Sequence, residues 1–365
     1  MILLGVAVCL VWIYLLLFRA KSRADPPVRG RPPGRPAAIT AVIPARNEAA
    51  VVAQSIGSLA GQRYAGPFRI VLVDDDSADG TAGIARQSAP SGQLTVIRAQ
   101  PLPAGWTGKL WAVSQGVEQA GAPDYLLLTD ADIVHPPDNL ATLIARAEGG
   151  YDLVSYMAKL KCDSLAERAL IPAFVFFFFL LYPPAWIRDP RRKTAGAAGG
   201  CILIRREMLE RIGGIAAIRG DLIDDCALAR AVKRAGGRVW LGLSEHTRSI
   251  RDYATFGEIG RMISRTAFTQ LGYSPLWLAG TVLGLAFVYL LPVALTIAGQ
   301  PLGVAAWLLM SICYWPALRF YGRSPLWAPL LPLIAAFYMG CTVHSAVQYW
   351  RGAGGSWKGR VQAKT

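Results

Sequence analysis

The 365-residue chain carries 38 Lys and Arg against 24 Asp and Glu, a formal charge of +14, yet only 17% of it is charged and 53% is hydrophobic. That balance excludes an ordinary soluble domain, and the charged middle of the chain excludes a pure membrane bundle. A basic excess beside apolar spans points to anionic lipid surfaces or phosphorylated substrates, and no nucleic-acid motif accompanies it.

Residues 2–18 form a charge-free apolar run just long enough to cross a bilayer. A secretory signal would place its positive charge before such a run; here Arg19, Lys21 and Arg23 follow it, then Arg29, Arg31 and Arg35 in a Pro-rich linker, 21–37. The pattern reads as a retained signal anchor, residues 1–20. It puts the N-terminus outside and the following domain in the cytoplasm, at the inner cell membrane.

From 38 to 270 the composition turns globular. The runs "AAITAVIP" (37–44), "FRIVLVDDD" (68–76), "LTVIR" (94–98) and "DYLLLTD" (124–130) read as short buried strands. The stretches "EAAVVAQSIGSLAGQ", "GTAGIARQ" and "LWAVSQGVEQAG" between them read as helices. Alternation of this kind predicts an α/β domain around a parallel sheet, with ligands beyond the carboxyl ends of its strands. The polar clusters Arg46-Asn47-Glu48, Asp74-Asp75-Asp76 and Asp130-Ala131-Asp132 fall at those ends.

The apolar block 169–187 lies inside this domain; Pro183, Pro184 and Trp186 suggest a helix in the membrane interface, a buried core helix being the other reading. Beyond it, 276–298, 302–318 and 326–347 predict C-terminal membrane helices within 271–350. Three spans place the tail outside, whereas Arg351, Lys358, Arg360 and Lys364 in the basic tail (351–365) favour the inside, which leaves its side open. The six cysteines form no C-x-x-C pair and read as free thiols.

Three acidic clusters bear on chemistry: "VLVDDDSADGTAG", Asp130-x-Asp132, and Asp221, Asp224 and Asp225 in "GDLIDDCALARAVKRAGG". Strand residues i and i+2 share a face, so the D-x-D acids would repel each other unless a cation or hydrogen bonds offset their charge. A hard cation, Mg2+ or Mn2+, completed by substrate phosphates, resolves this; an Asx turn closing a loop is the alternative. Asp224 and Asp225 open an amphipathic helix, and two acids exceed what a cap needs, so one is free to face a cavity as a general base. The loop "LPAGWTGKLWA" is not a Walker A, because Leu110 follows Lys109, but its glycines and lysine before a helix start suit an anion. No G-x-G-x-x-G follows the first strand, which counts against a dinucleotide oxidoreductase. Of the histidines, His135 reads as a turn residue, His246 as a candidate third metal ligand and His344 as a packing residue.

In their order along the chain, "AVIPARNEAA", "VLVDDDSADGTAG", "GWTGKLWAVSQG", "LLLTDAD", "GGCILIRREMLERIGG" and "LIDDCALARAVKRAGGRV" resemble family 2 glycosyltransferases of the GT-A fold. With the anchor-domain-membrane layout and the terminal "WKGR" (357–360), the chain is most similar to the hopanoid-biosynthesis-associated members, and also to carotenoid-type ones. The resemblance implies that Pro44, Arg46, Glu48, Asp75 and Asp76 bind a nucleotide-sugar, with Lys109 near its phosphates. It implies that Asp130 and Asp132 are the D-x-D pair, Asp132 the direct ligand of Mg2+ or Mn2+ and Asp130 on the nucleotide side. Asp224-Asp225-x-x-Leu228 matches the family's E-D-x-x-L, making Asp225 the base for inverting attack by an acceptor hydroxyl. Processive members carry Q-x-x-R-W; here Met262 and Thr266 stand in for Gln and Trp, which points to addition of a single sugar, with Arg261 or Arg265 near the diphosphate or on a basic membrane-facing surface. The expected partners are a nucleotide-sugar donor, UDP-linked by expectation, a lipid acceptor such as a hopanoid, and the membrane. A polyprenyl-phosphate glycosyltransferase and a non-catalytic nucleotide-sugar-binding scaffold are the alternatives.

Overall fold

The computed structural model describes residues 1–19, 36–357 and 360–361, with side chains through residue 355. The basic linker residues from Lys21 to Arg35, and Lys358 and Lys364 of the tail, lie outside the described residues. In chain order the main elements are α1 (Ile2–Tyr14), β1 (Ile39–Ala45), α2 (Val52–Ala60), β2 (Phe68–Asp74), α3 (Thr81–Arg86), β3 (Leu94–Arg98), α4 (Gly108–Gln119), β4 (Tyr125–Leu128), β5 (Ile133–Val134), α5 (Asn139–Glu148) and β6 (Leu153–Lys159). After these come α6 (Leu165–Leu181), α7 (Pro184–Arg188), β7 (Ile202–Arg205), α8 (Arg206–Arg211), α9 (Asp224–Arg234), β8 (Val239–Ser249), α10 (Phe256–Ser264), α11 (Ala267–Gln270), α12 (Pro275–Leu285), α13 (Leu291–Ile297), α14 (Pro301–Phe320) and α15 (Leu331–Trp350).

These elements form two compact units, one of Met1–Ala24, Lys161–Pro183 and Asp252–Gly355, the other of Asp25–Leu160, Pro184–Arg251 and Ser356–Thr365. The sequence drew one domain from 38 to 270; the structure groups 161–183 and 252–270 with the apolar helices instead.

The second unit is built on an eight-stranded sheet of order β3-β2-β1-β4-β7-β6-β8-β5. All seven residues of β1 and all four of β4 are buried, so these strands read as continuous apolar runs rather than alternating ones. β1 to β4 pair in parallel as the alternation predicts, but β7 inserts antiparallel between β4 and β6, and β5 pairs antiparallel with β8. The sheet is therefore mixed and mostly parallel. Helix α4 lies so close to the sheet that a Cβ on its Gly116 would stand 2.4 Å from Val42 Cγ1, which admits only glycine there.

Register decides where the polar ends gather. Ala45 is level with Asp74, and Val42 with Leu128, so the loop carrying Asp130 and Asp132 emerges level with the end of β1. Pairing of Ile133 with Ser249 then brings the end of β8 alongside that loop.

The first unit contains or begins all five helices that are long and apolar enough to cross a membrane: Ile2–Arg19, Leu165–Arg188, Pro275–Ile297, Pro301–Phe320 and Pro325–Trp350. The N-terminal and three C-terminal spans agree with the apolar runs of the sequence. Residues 169–187 split at Tyr182 and Pro183 into α6 and α7, as expected where a proline disfavours a helical residue before it. α6 opens on a capping box formed by Ser164 and Glu167. Its segment is 56% buried, against 17–39% for the other four, because its aromatic rings meet Tyr314 and Tyr338 and its Leu170 carbonyl accepts from the Tyr338 hydroxyl.

Candidate active site

Three loops meet beyond the carboxyl ends of β1, β2 and β4. After β1, Asn47 adopts φ 51°; after β2, Asp76 adopts φ 58°, both left-handed conformations that Asn and Asp tolerate better than most residues. The two loops are tied together: Asn47 N–H donates to Ser77 Oγ, Ala78 N–H to Asn47 Oδ1, and Ala49 N–H to Asp79 Oδ2. Arg46 donates to the Asp75 carbonyl and stands 3.7 Å from its carboxylate, while Asp76 pairs with Arg98 of β3 at 2.6 Å. Arg46, Asp75 and Asp76 thus form one polar edge, with Asp75 buried and Asp76 exposed.

A small pocket open to solvent lies beside that edge and is lined among others by Pro44, Lys109, Asp130, Gly199, Asp224 and Asp225. Thr107 caps α4 through the Leu110 N–H, and the main-chain bond from Thr107 N–H to the Arg219 carbonyl fixes the loop "GWTGK". Lys109 then projects between two acids, with Nζ 2.9 Å from Asp130 Oδ1 and 3.0 Å from Asp224 Oδ2. Burial works against its charge, but Asp130 and Asp224 outweigh it and hold the ammonium well above its ordinary range. Asp130 is raised in turn, by burial first and by the nearby Asp132 and Asp224 against the pull of Lys109.

Asp225 sits at the start of α9, its Oδ1 accepting from the Cys226 N–H at 2.7 Å and its Oδ2 from the Gly199 N–H at 2.9 Å. Burial, then repulsion from Asp224, pushes its carboxyl up to about 6 despite those donors and Lys109. A carboxylate of that strength is mostly ionised at neutral pH yet a better proton acceptor than an ordinary Asp.

Asp132 does not share a strand face with Asp130. β4 ends at Leu128, both acids lie in the turn beyond it, and strand alternation does not extend to them. Asp130 points to Lys109, whereas Asp132 Oδ2 accepts from Ser249 Oγ at 2.9 Å and from Arg251 Nε at 3.0 Å. Arg251 Nη2 also reaches Glu48 Oε1 at 2.6 Å, so one guanidinium joins the loops after β1, β4 and β8.

Among the described residues no three His, Cys, Asp or Glu side chains converge as a ready metal cage. The donors present are hard carboxylate oxygens, with Asp130 Oδ2 and Asp132 Oδ1 outside the bonds just described. That fits Mg2+ or Mn2+, which take one or two carboxylates from protein and further oxygens from phosphate.

His135 belongs to the core. Its Nδ1 accepts from Asn139 Nδ2 at 3.0 Å, which leaves Nε2–H to donate to Thr129 Oγ1 at 3.0 Å, and burial pushes its pKa down to about 3. His246 lies exposed on β8 and His344 on α15. Arg261 and Arg265 sit exposed on and just after α10, in the unit of apolar helices. Sequence reading missed Arg251, Ser249 and the Gly199 N–H. The only available signal for Arg251 was its place just after a strand, and Gly199 stood inside a quoted motif with no role attached to its amide.

Residues 40–213 match the family model described as Glycosyl transferase family 2. The chain is 37% identical over 101 residues to an undecaprenyl-phosphate 4-deoxy-4-formamido-L-arabinose transferase of Pseudomonas fluorescens, covering 28% of this chain and 29% of that one. To the transferase of the same name in Pectobacterium carotovorum it is 33% identical over 132 residues, covering 36% and 39%. The chain thus spans 29% and 39% of the length of these curated relatives. Among solved structures, a mannosyltransferase from Pyrobaculum calidifontis in complex with GDP-Man and Mn2+ matches with TM-score 0.56 over 94% of this chain and 98% of that one. At 19% identity that likeness is one of fold. Asp224, Asp225 and Arg251 lie past the family match. Over residues 40–213 the chain is thus similar to family 2 glycosyltransferases, and its fold is like that of the mannosyltransferase, a GT-A fold.

Proposed function

We propose that the sheet unit transfers a single sugar from a nucleotide-diphosphate donor, UDP-linked by expectation, to a lipid hydroxyl at the cytoplasmic face of the inner membrane, a hopanoid being one such acceptor. The observation that carries this reading is the half-buried cluster of Lys109, Asp130, Asp224 and Asp225 at the sheet's carboxyl edge. In it, Pro44, Arg46, Glu48, Asp75 and Asp76 bound the nucleotide side, and Lys109 offers a positive charge to the donor phosphates. Asp132, with Asp130, would hold Mg2+ or Mn2+. When bound, that cation supplies charge to offset the leaving diphosphate.

Asp225 takes the acceptor's hydroxyl proton, and the freed oxygen attacks the anomeric carbon in line, with inversion, as the carbon–phosphate oxygen bond breaks. Asp224, held on Lys109, raises Asp225's affinity for that proton by repulsion. Met262 and Thr266, where processive enzymes carry Gln and Trp, support a single addition.

A second acceptor class is favoured by the relatives' printed names, which specify undecaprenyl phosphate. A phosphate acceptor is already ionised and needs no base. Asp225→Asn separates the two. With a hydroxyl acceptor, transfer falls by about 10²–10⁴ while donor binding, read by isothermal titration with UDP and UDP-sugars, persists. Full transfer by this variant to a polyprenyl phosphate would instead establish the second reading and remove the base from the mechanism.

A further inference from the structure

Arg251 occupies the place in this site where a cation is needed. Glu48 and Asp132 come from different loops, and their side chains are 10% and 11% exposed, so their charges are poorly solvated. The Arg251 guanidinium lies between them, Nη2 at 2.6 Å from Glu48 and Nε at 3.0 Å from Asp132, on the same Asp132 oxygen that accepts from Ser249. A guanidinium keeps its positive charge at any working pH. Only another cation can replace its charge there.

We propose that Arg251 is the internal counter-ion of the metal pocket. It holds Glu48 and Asp132 in place in the metal-free protein, and it lowers the pocket's affinity for a divalent cation by competing for Asp132. Arg251 is a positioning residue, not a proton-transfer group. The inference rests on the reading of Asp132 as a metal ligand. It adds that metal entry is an exchange of one cation for another, which an empty pair of carboxylates would not require.

The test measures Mn2+ binding to the full chain in detergent, without donor, by electron paramagnetic resonance of free Mn2+. Arg251→Gln, or Arg251→Met if that variant misfolds, removes one positive charge next to the site and is expected to tighten Mn2+ binding about tenfold. Arg251→Lys keeps the charge and is expected to bind close to wild type. Adding Asp132→Asn to the neutral variant is expected to abolish the gain. Binding by the neutral variant that equals or falls below wild type overturns the inference and leaves the metal reading standing. A gain that survives Asp132→Asn also overturns it. Failure of the wild type and every variant to bind Mn2+ overturns the inference and the metal reading together.

Discussion

The main-chain N–H of Gly199 donates to Asp225 Oδ2 at 2.9 Å, and a Cβ on Gly199 would stand 3.3 Å from Lys109 Nζ and 3.6 Å from that same oxygen. The glycine therefore serves the site twice, by aiming its amide and by leaving room for the lysine. We expect Gly199→Ala to cut transfer at least tenfold while lowering stability by no more than about 1 kcal/mol. Steady-state kinetics beside thermal melts in detergent would check this; an active variant would show that the close approach is dispensable.

The pH profile follows from Asp225. Its carboxyl is raised above the ordinary range to about 6, so it takes up its proton earlier on acidification and the basic form is populated above that value. Transfer to a hydroxyl acceptor is expected to fall about tenfold per pH unit below about 6 and to level off above it. A profile flat down to pH 5, taken with saturating donor, would exclude Asp225 as the base.

Lys109 neutralises two acids at once. Its removal leaves Asp130 and Asp224 without their shared counter-charge, and Lys109→Met is expected to cost about 1–2 kcal/mol of stability, less than for a fully buried pair because these side chains are part-exposed. Adding Asp224→Asn removes one of the stranded charges and should recover part of that loss. Chemical denaturation of the two variants and wild type would decide. Equal stability of all three would mean the pocket is wet enough to screen its own charges.

Local pattern carried far in this chain. The run "AAITAVIP" forms β1 and "FRIVLVDDD" forms β2 because an unbroken apolar stretch of strand length can only be satisfied by burial on both faces. The acids at their ends were legible for the same reason, since a buried strand must stop where charge begins. Alternation of strands and helices also gave the parallel half of the sheet, and the apolar runs gave the N-terminal and C-terminal spans.

Partner choice was not legible. Arg251 and Glu48 are 203 residues apart, and what brings them together is the register of β8 against β5, a pairing that no local periodicity encodes. The D-x-D spacing suggested two acids on one face, but the chain leaves β4 before reaching them and sends one to Lys109 and the other to Arg251. Sequence by itself determined which segments bury and which residue types stand at their ends, because both follow from the solvation of a few neighbouring side chains. Tertiary structure alone decided which charge faces which, because an ion pair depends on distances that only the assembled sheet sets.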